Sequence, residues 1–426
     1  MELALLVSLL IALLVIGVPV AFALGVASLA TFYVLDIPLV VAFQRMAAGM
    51  NVFSLMAIPF FVFAGDLMHR AGIAERLIRV ADAALGRTRG GLGQVDVTAS
   101  MLFGAVSGSA IASVSAIGST LGPMMREKGY DADYAVNVSA TAAITGLLIP
   151  PSHNMIIYAA AAGVSISLAD LFLAGVIPGV LTGLLLMIAA WVVAVRRNYP
   201  RGSFPGWRAF LIATAGAIPG LIAAAIIVVG VLSGMFTPTE SSGIAVVYTI
   251  LVALLVYRSL SWDGFKAATT AAVRTTAMVM MVIGAAAAFG WLLALLEAPS
   301  QLADLLRGIT ENPLLLLLLI NIVLLLLGTF MDMAPLIIIT TPIFLPMAGD
   351  LGMDPVHFGI MLILNLGIGL VTPPVGSVLF VGCAVGKIPI EQTVRTIWPF
   401  YMALLLALAA VIYIPSLSLW LPELLN

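Results

Sequence analysis

Two prolyl-proline pairs, Pro150-Pro151 and Pro373-Pro374, lie 223 residues apart (373 − 150) in stretches that read as one sequence written twice. Gly146-Leu147-Leu148-Ile149-Pro150-Pro151 stands against Gly369-Leu370-Val371-Thr372-Pro373-Pro374. The same spacing relates Pro123 to Pro346, Gly129 to Gly352 and Gly163 to Gly386. A register held without a gap from Pro123 to Gly163 marks an internal repeat. Membrane transporters are commonly built this way.

Composition decides the medium. Apolar residues make up 62% of the 426 and charged residues 9%, where soluble domains average roughly 45–50% and about 25%. With only 18 Lys and Arg and 20 Asp and Glu, the chain cannot cover a soluble fold with a polar skin. That excludes the soluble, disordered and nucleic-acid-binding classes. A polytopic α-helical membrane protein remains, since a span needs about 20 apolar residues. The apolar start from Leu3 lacks a basic flank and outruns a signal peptide, so it reads as a retained segment.

Chemistry that would make this an enzyme is missing from the pattern. Cys383 is the sole cysteine, and His69, His153 and His357 are scattered, with no H-E-x-x-H. The run Gly382 to Ile388 is one residue short of a phosphate loop and has Ile where Ser or Thr should hold magnesium. Uphill movement of a solute would therefore draw on an ion gradient. The net charge of −2 points to no particular partner.

Loop charges orient the copies. Arg70, Arg76, Arg79, Arg87 and Arg89 outweigh Glu75 and Asp82, whereas the matching loop carries Glu297, Asp304 and Glu311 against Arg307. Arg126 and Lys128 match the acidic Asp350 and Asp354, and Asp170 matches a region with Lys387 and Arg395. Basic loops stay in the cytoplasm, so equivalent loops lie on opposite faces and the repeats are inverted. The expected fold is all-α, with about ten spanning helices and two re-entrant helical hairpins. Residues 1–195 form the first repeat, with a hairpin at 91–125 and a broken helix at 134–162. Residues 196–210, holding Arg196, Arg197, Arg201 and Arg208, form a cytoplasmic linker. Residues 211–426 form the second repeat, with a hairpin at 313–348 and a broken helix at 356–385. Met1–Leu35 reads either as two short spans split at Pro19 or as one long tilted helix.

Polar chemistry gathers at the breaks. Each proline removes an amide donor and clashes with the preceding turn, so each Pro-Pro divides its span into half-helices, although a structural kink would leave the same trace. The second half-helix of each pair would present free amides and a positive dipole end, which suits a carboxylate. The first would expose carbonyls, which suit Na⁺. Small polar residues follow each break: Ser152, His153 and Asn154 after the first, Gly376 and Ser377 after the second. His153 fits a proton or substrate contact and equally a satisfied buried histidine.

The hairpin tips add oxygen. Ser107-Gly108-Ser109-Ala110 offers a turning glycine and hydroxyls for a hard cation, with Ser113, Ser115 and Ser119 nearby. Small-residue packing accounts for the same serines. Ser109 matches Asp332 (332 − 223 = 109), an acid within a long apolar stretch, where such residues are costly and usually functional. An interface carboxyl is the competing explanation. Glu240 in Thr237-Pro238-Thr239-Glu240 fits helix capping as well as function.

Together these blocks resemble the large membrane subunit of tripartite ATP-independent periplasmic (TRAP) transporters over essentially the whole chain. The most specific are Phe63 to Met68, Ser107 to Ala110, Pro123 to Tyr130, Leu148 to Ser152, Thr237 to Glu240 and Gly369 to Gly376. The resemblance implies Na⁺-driven uptake of an organic acid across a bacterial inner membrane by an elevator mechanism, with no organic cofactor. It also implies two partners: a periplasmic substrate-binding protein and a small four-helix membrane subunit. Carried onto this sequence, one Na⁺ site falls among Ser107, Gly108, Ser109, Pro150 and Ser152, and a second among Asp332, Thr372, Pro374 and Gly376. The acid would sit between them, at Ser152, His153, Asn154, Gly376 and Ser377. A stand-alone Na⁺/carboxylate symporter is the alternative, and a non-transporting subunit of a redox complex a remote one.

Overall fold

Hydrocarbon offers no partner to a backbone amide, so a chain this apolar must close its hydrogen bonds within helices. The computed structural model does so, and describes residues 2–425 apart from Ser203, Ile309 and Glu311. Glu311 of the acidic loop therefore lies outside the described residues. Among them, extended pairing is limited to an isolated bridge between Arg89 and Arg201.

The first half runs α1 (Glu2–Val15), α2 (Val20–Val34), α3 (Leu39–Met50), α4 (Ala57–Arg70), α5 (Ile73–Leu85), α6 (Gly91–Ser107) and α7 (Ala110–Glu127). It continues through α8 (Ala132–Ala142), the single turn α9 (Thr145–Leu148), α10 (His153–Ala161) and the long α11 (Leu168–Arg196). The second half opens with α12 (Trp207–Leu232), α13 (Pro238–Leu251), α14 (Trp262–Leu295), α15 (Ala298–Arg307), α16 (Pro313–Gly328) and α17 (Met333–Asp350). It closes with α18 (Pro355–Leu370), α19 (Ser377–Gly386), α20 (Ile390–Thr396), α21 (Trp398–Tyr413) and α22 (Ser416–Leu425).

Five of these helical segments are long and apolar enough to cross a membrane alone, or up to nine if each bent pair counts as one span. That count leaves out the shorter apolar helices Glu2–Val15, Val20–Val34, Pro313–Gly328 and Pro355–Leu370. Residues 2–34 form two short helices that pack on each other, with Gly17 at φ +88° and Pro19 turning the chain between them. Two further features went unread in the sequence. Leu39–Met50 is a helix bent by 63° from Phe53–Arg70. Helix α14 begins at Trp262, well before the hydropathy peak at Thr275, because Asp263, Lys266 and Arg274 depress its first turns. At 34 residues it extends about 50 Å, beyond the roughly 30 Å hydrocarbon core, so its charged start is accommodated outside.

Helices α6 and α7 pack as one hairpin and α16 and α17 as another. Glycine allows the first arm of each to cross the broken helix of its own half at backbone distance. A Cβ at Gly146 would lie 2.6 Å from the Gly104 Cα, and one at Gly369 would lie 2.6 Å from the Gly328 Cα. The halves then interlock. Arm α7 packs on α19, and arm α17 packs on α10. Around this group stand α2, α3 and α4 packed on α14, and α12 packed on α13 and α5. The two groups meet where α5 and α4 pack on α6 and where α14 touches α17.

Candidate functional site

The first break is built by geometry that no helix can continue. Ile149 turns extended (ψ 121°), the Pro150-Pro151 bond is cis, and Ser152 is extended before α10 starts at His153. Across from it lies the tip of the first hairpin. Gly108 sits at φ +61°, and a Cβ there would stand 2.9 Å from the Pro151 carbonyl oxygen and 3.4 Å from the His153 nitrogen. Only glycine lets the tip sit that close in that conformation. Gly108, between Ser107 and Ser109, is thus brought onto Pro151, Ser152 and His153. Ser109 also caps α7, its Oγ accepting from the Ala112 amide at 3.3 Å. Gly65 of α4 backs the tip, its missing Cβ leaving room for the Ser107 Cα at 3.1 Å.

The second break repeats the arrangement with different side chains. Val371 to Val375 leave the helix, Pro373-Pro374 is cis, and α19 starts at Ser377. The second tip reaches it through the Thr329 carbonyl, which accepts from the Val375 amide at 3.1 Å. Gly376 is the point where carbonyls converge: a Cβ there would meet the Thr372 oxygen at 2.9 Å and the Leu370 oxygen at 3.2 Å. Thr372 turns its hydroxyl to the Ile368 carbonyl at 2.7 Å. Tyr401 of α21 donates to the Val371 carbonyl at 2.6 Å and holds the break from behind.

Two hydroxyls at the breaks, those of Ser152 and Ser377, are buried without a partner, as is that of Ser113 one turn into α7. Such atoms are rare in native interiors and ask for a ligand or water. Ser152 and Asn154 are buried, while His153 is partly buried at the start of α10. Asp332 takes the helix-start position of α17 that Ser109 takes in α7, and it makes no cap hydrogen bond. It stands where the hairpin tip ends and the second arm begins. Among the described residues no group of three His, Cys, Asp or Glu side chains could hold a metal. Glu240 belongs elsewhere. It forms a full capping box, with its carboxylate 2.8 Å from the Thr237 amide and its own amide 3.2 Å from the Thr237 hydroxyl.

Structure also shows polar residues that the sequence reading passed over. Asp96 of α6 is fully buried and takes hydrogen bonds from Ser100 (3.3 Å) and from Ser139 of α8. Asn365 of α18 donates to the backbone and side-chain oxygens of Asn321 in α16 at 2.9 and 2.8 Å. Each half thus ties its hairpin to its broken helix with one buried polar bridge. The rule that an acid in an apolar segment is meaningful applied to Asp96 as much as to Asp332.

A family model described as the DctM component of tripartite ATP-independent periplasmic transporters matches residues 7–417. The sialic acid TRAP transporter large permease SiaM of Vibrio cholerae is 39% identical over 414 residues, covering 97% of this chain and 96% of its own. The C4-dicarboxylate TRAP transporter large permease DctM of Pseudomonas aeruginosa is 41% identical over 371 residues, 87% of this chain and 86% of its own. In fold the chain is similar to the YdaH transporter of Alcanivorax borkumensis, with a TM-score of 0.58 at 16% identity over 92% of this chain and 89% of that one. Matching over nearly its whole length, this chain belongs to the DctM family of TRAP transporter large permeases.

Proposed function

We propose that the chain is the large permease of a Na⁺-coupled uptake system for an organic acid in a bacterial inner membrane. One observation carries this reading: in each half a hairpin tip abuts the break of its own broken helix, at Gly108 against Pro151 and at Thr329 against Val375. Each junction gathers carbonyl and hydroxyl oxygens that suit Na⁺, beside a half-helix whose free amides suit a carboxylate. The first cation falls among Ser107, Gly108, Ser109, Pro150 and Ser152. The second falls among Thr372, Pro374 and Gly376, with Asp332 at the tip. The acid bridges the starts of α10 and α19 at Ser152, His153, Asn154, Gly376 and Ser377. The names of the two relatives, sialic acid and C4-dicarboxylate permeases, both denote carboxylates. Carrying cation and anion together lowers the net charge in hydrocarbon, and that couples their movement.

The hairpins and broken helices move as one body against α2–α4 and α12–α14, an elevator in which the site travels with its walls. A small four-helix membrane subunit joins this framework, and a periplasmic binding protein delivers the acid. The test is uptake of radiolabelled sialic acid and succinate by proteoliposomes holding the chain with its small subunit. Accumulation is expected with an inward Na⁺ gradient and binding protein present, and none with choline in place of Na⁺. Equal uptake in choline refutes the coupling. Uptake that ignores the binding protein makes the chain a stand-alone symporter.

A further inference from the structure

At the end of the first hairpin opposite its tip, a cleft of about 520 Å³ opens between α5, the end of α7 and the segment joining the two halves. Lys128, Tyr130, Arg201 and Pro205 line it together with Leu92 and the acidic Asp82. The joining segment is fastened here. The Gly90 amide donates to the Pro200 carbonyl at 3.2 Å, and Arg89 pairs with Arg201 in an antiparallel bridge. That bridge pairs the backbones of two basic residues. Arg197, by contrast, is matched by Asp131 and Asp133 at 3.0 and 2.8 Å. The Nε of Arg89 is buried with no hydrogen-bond partner. The cleft therefore carries surplus positive charge and an unmet donor beside it.

Neighbouring residues place the cleft at a definite depth. Phe204 and Trp207 flank Pro205, stack edge to face at 5.5 Å, and are exposed, as are Leu211 and Ile212 one turn further. Exposed aromatics followed by exposed aliphatics on a spanning helix mark the level where headgroups give way to acyl chains. The surrounding loops are the basic ones, which face the cytoplasm.

We infer that this cleft is a binding site for the phosphate headgroup of an anionic phospholipid of the cytoplasmic leaflet. Lys128 and Arg201 bind the phosphate, Arg89 supports it from the side, and the acyl chains descend along Phe204, Trp207 and Leu211. A basic pocket next to helices in that leaflet is the setting in which such headgroups bind. Because α5 also packs on α12, the lipid bridges the hairpin and its surroundings where the joining segment turns into the second half.

The test is native mass spectrometry of the protein released from nanodiscs of phosphatidylcholine with or without phosphatidylglycerol, which does not depend on transport. The wild type is expected to retain phosphatidylglycerol. Lys128→Ala/Arg201→Ala should retain on the order of tenfold less, given the attraction each basic residue contributes near an anionic surface. Arg201→Lys should stay near wild type, as should Arg258→Ala/Lys266→Ala, which removes the same charge around the start of α14. Equal loss in the two double variants would reduce the effect to general charge, and unchanged retention in the first would remove the site. Displacement of the lipid by millimolar inorganic phosphate would make it a soluble-anion site and overturn the lipid assignment.

Discussion

Replacing Gly108 by alanine tests whether contact between the first tip and the first break sets cation binding. Two effects follow from the geometry. The backbone at φ +61° costs an L-residue roughly 1–2 kcal/mol. The added Cβ would also stand 2.9 Å from the Pro151 oxygen, where about 3.4 Å is the ordinary lower limit. The tip must then withdraw by about 0.5 Å (3.4 − 2.9). By analogy with reacting groups, where a 1 Å misplacement costs on the order of 100-fold, half of that corresponds to about tenfold. The expected result is a tenfold rise in the Na⁺ concentration that half-maximally stabilises the purified protein against heating, with choline chloride as the ionic-strength control. Gly129→Ala supplies the comparison. Gly129 has φ +83° with nothing within 4 Å of its added Cβ, so that variant carries the backbone cost and no displacement. Its Na⁺ dependence should stay within about twofold of wild type. If Gly108→Ala behaves as Gly129→Ala does, the tip–break junction is not a cation site.

Two other outcomes check the framework. Arg197→Ala leaves Asp133, whose side chain is 8% exposed, without the guanidinium that now grips it at 2.8 and 2.9 Å. A buried charge stripped of its partner costs up to 3–5 kcal/mol; as Arg197 itself is 27% exposed, about 2 kcal/mol is expected. The melting temperature should fall by several degrees, whereas Arg70→Ala, which breaks the exposed pair with Asp66, should change it little; equal effects would contradict the burial argument. In a Cys383→Ala background, a membrane-impermeant maleimide added to spheroplasts should label Asp304→Cys and spare Arg79→Cys, both positions being exposed. Labelling of both from one side would rule out inverted repeats.

Much of the helical framework was legible because spans in lipid leave two strong signals, apolar length and proline. Pro150-Pro151 and Pro373-Pro374 announced interruptions because a proline cannot donate its amide, whatever surrounds it. Local patterns were weaker guides to extent. Leu39–Met50 was missed since a short amphipathic helix resembles a loop in a hydropathy window, and the start of α14 was hidden by its charges. Glu240 was readable as a cap, because a capping box involves residues three apart and nothing distant. Asp332 and Asp96 show the limit. Both are acids among apolar neighbours, yet one starts a helix at a hairpin tip without capping it and the other is sealed between two hydroxyls. Their difference arises from which helix lies opposite.

By itself, then, the sequence determined a helical membrane chain, its duplication and the places where its helices must fracture, because composition, spacing and proline act through the local backbone. Only the tertiary structure decided what meets at those fractures. Gly108 touches Pro151, Thr329 accepts from Val375, α7 packs on α19 and α17 on α10, and none of these pairs is neighbouring in the chain. Such contacts depend on how closely two backbones can approach, and at Gly104 with Gly146 and Gly328 with Gly369 that is settled by a missing side chain on both partners at once.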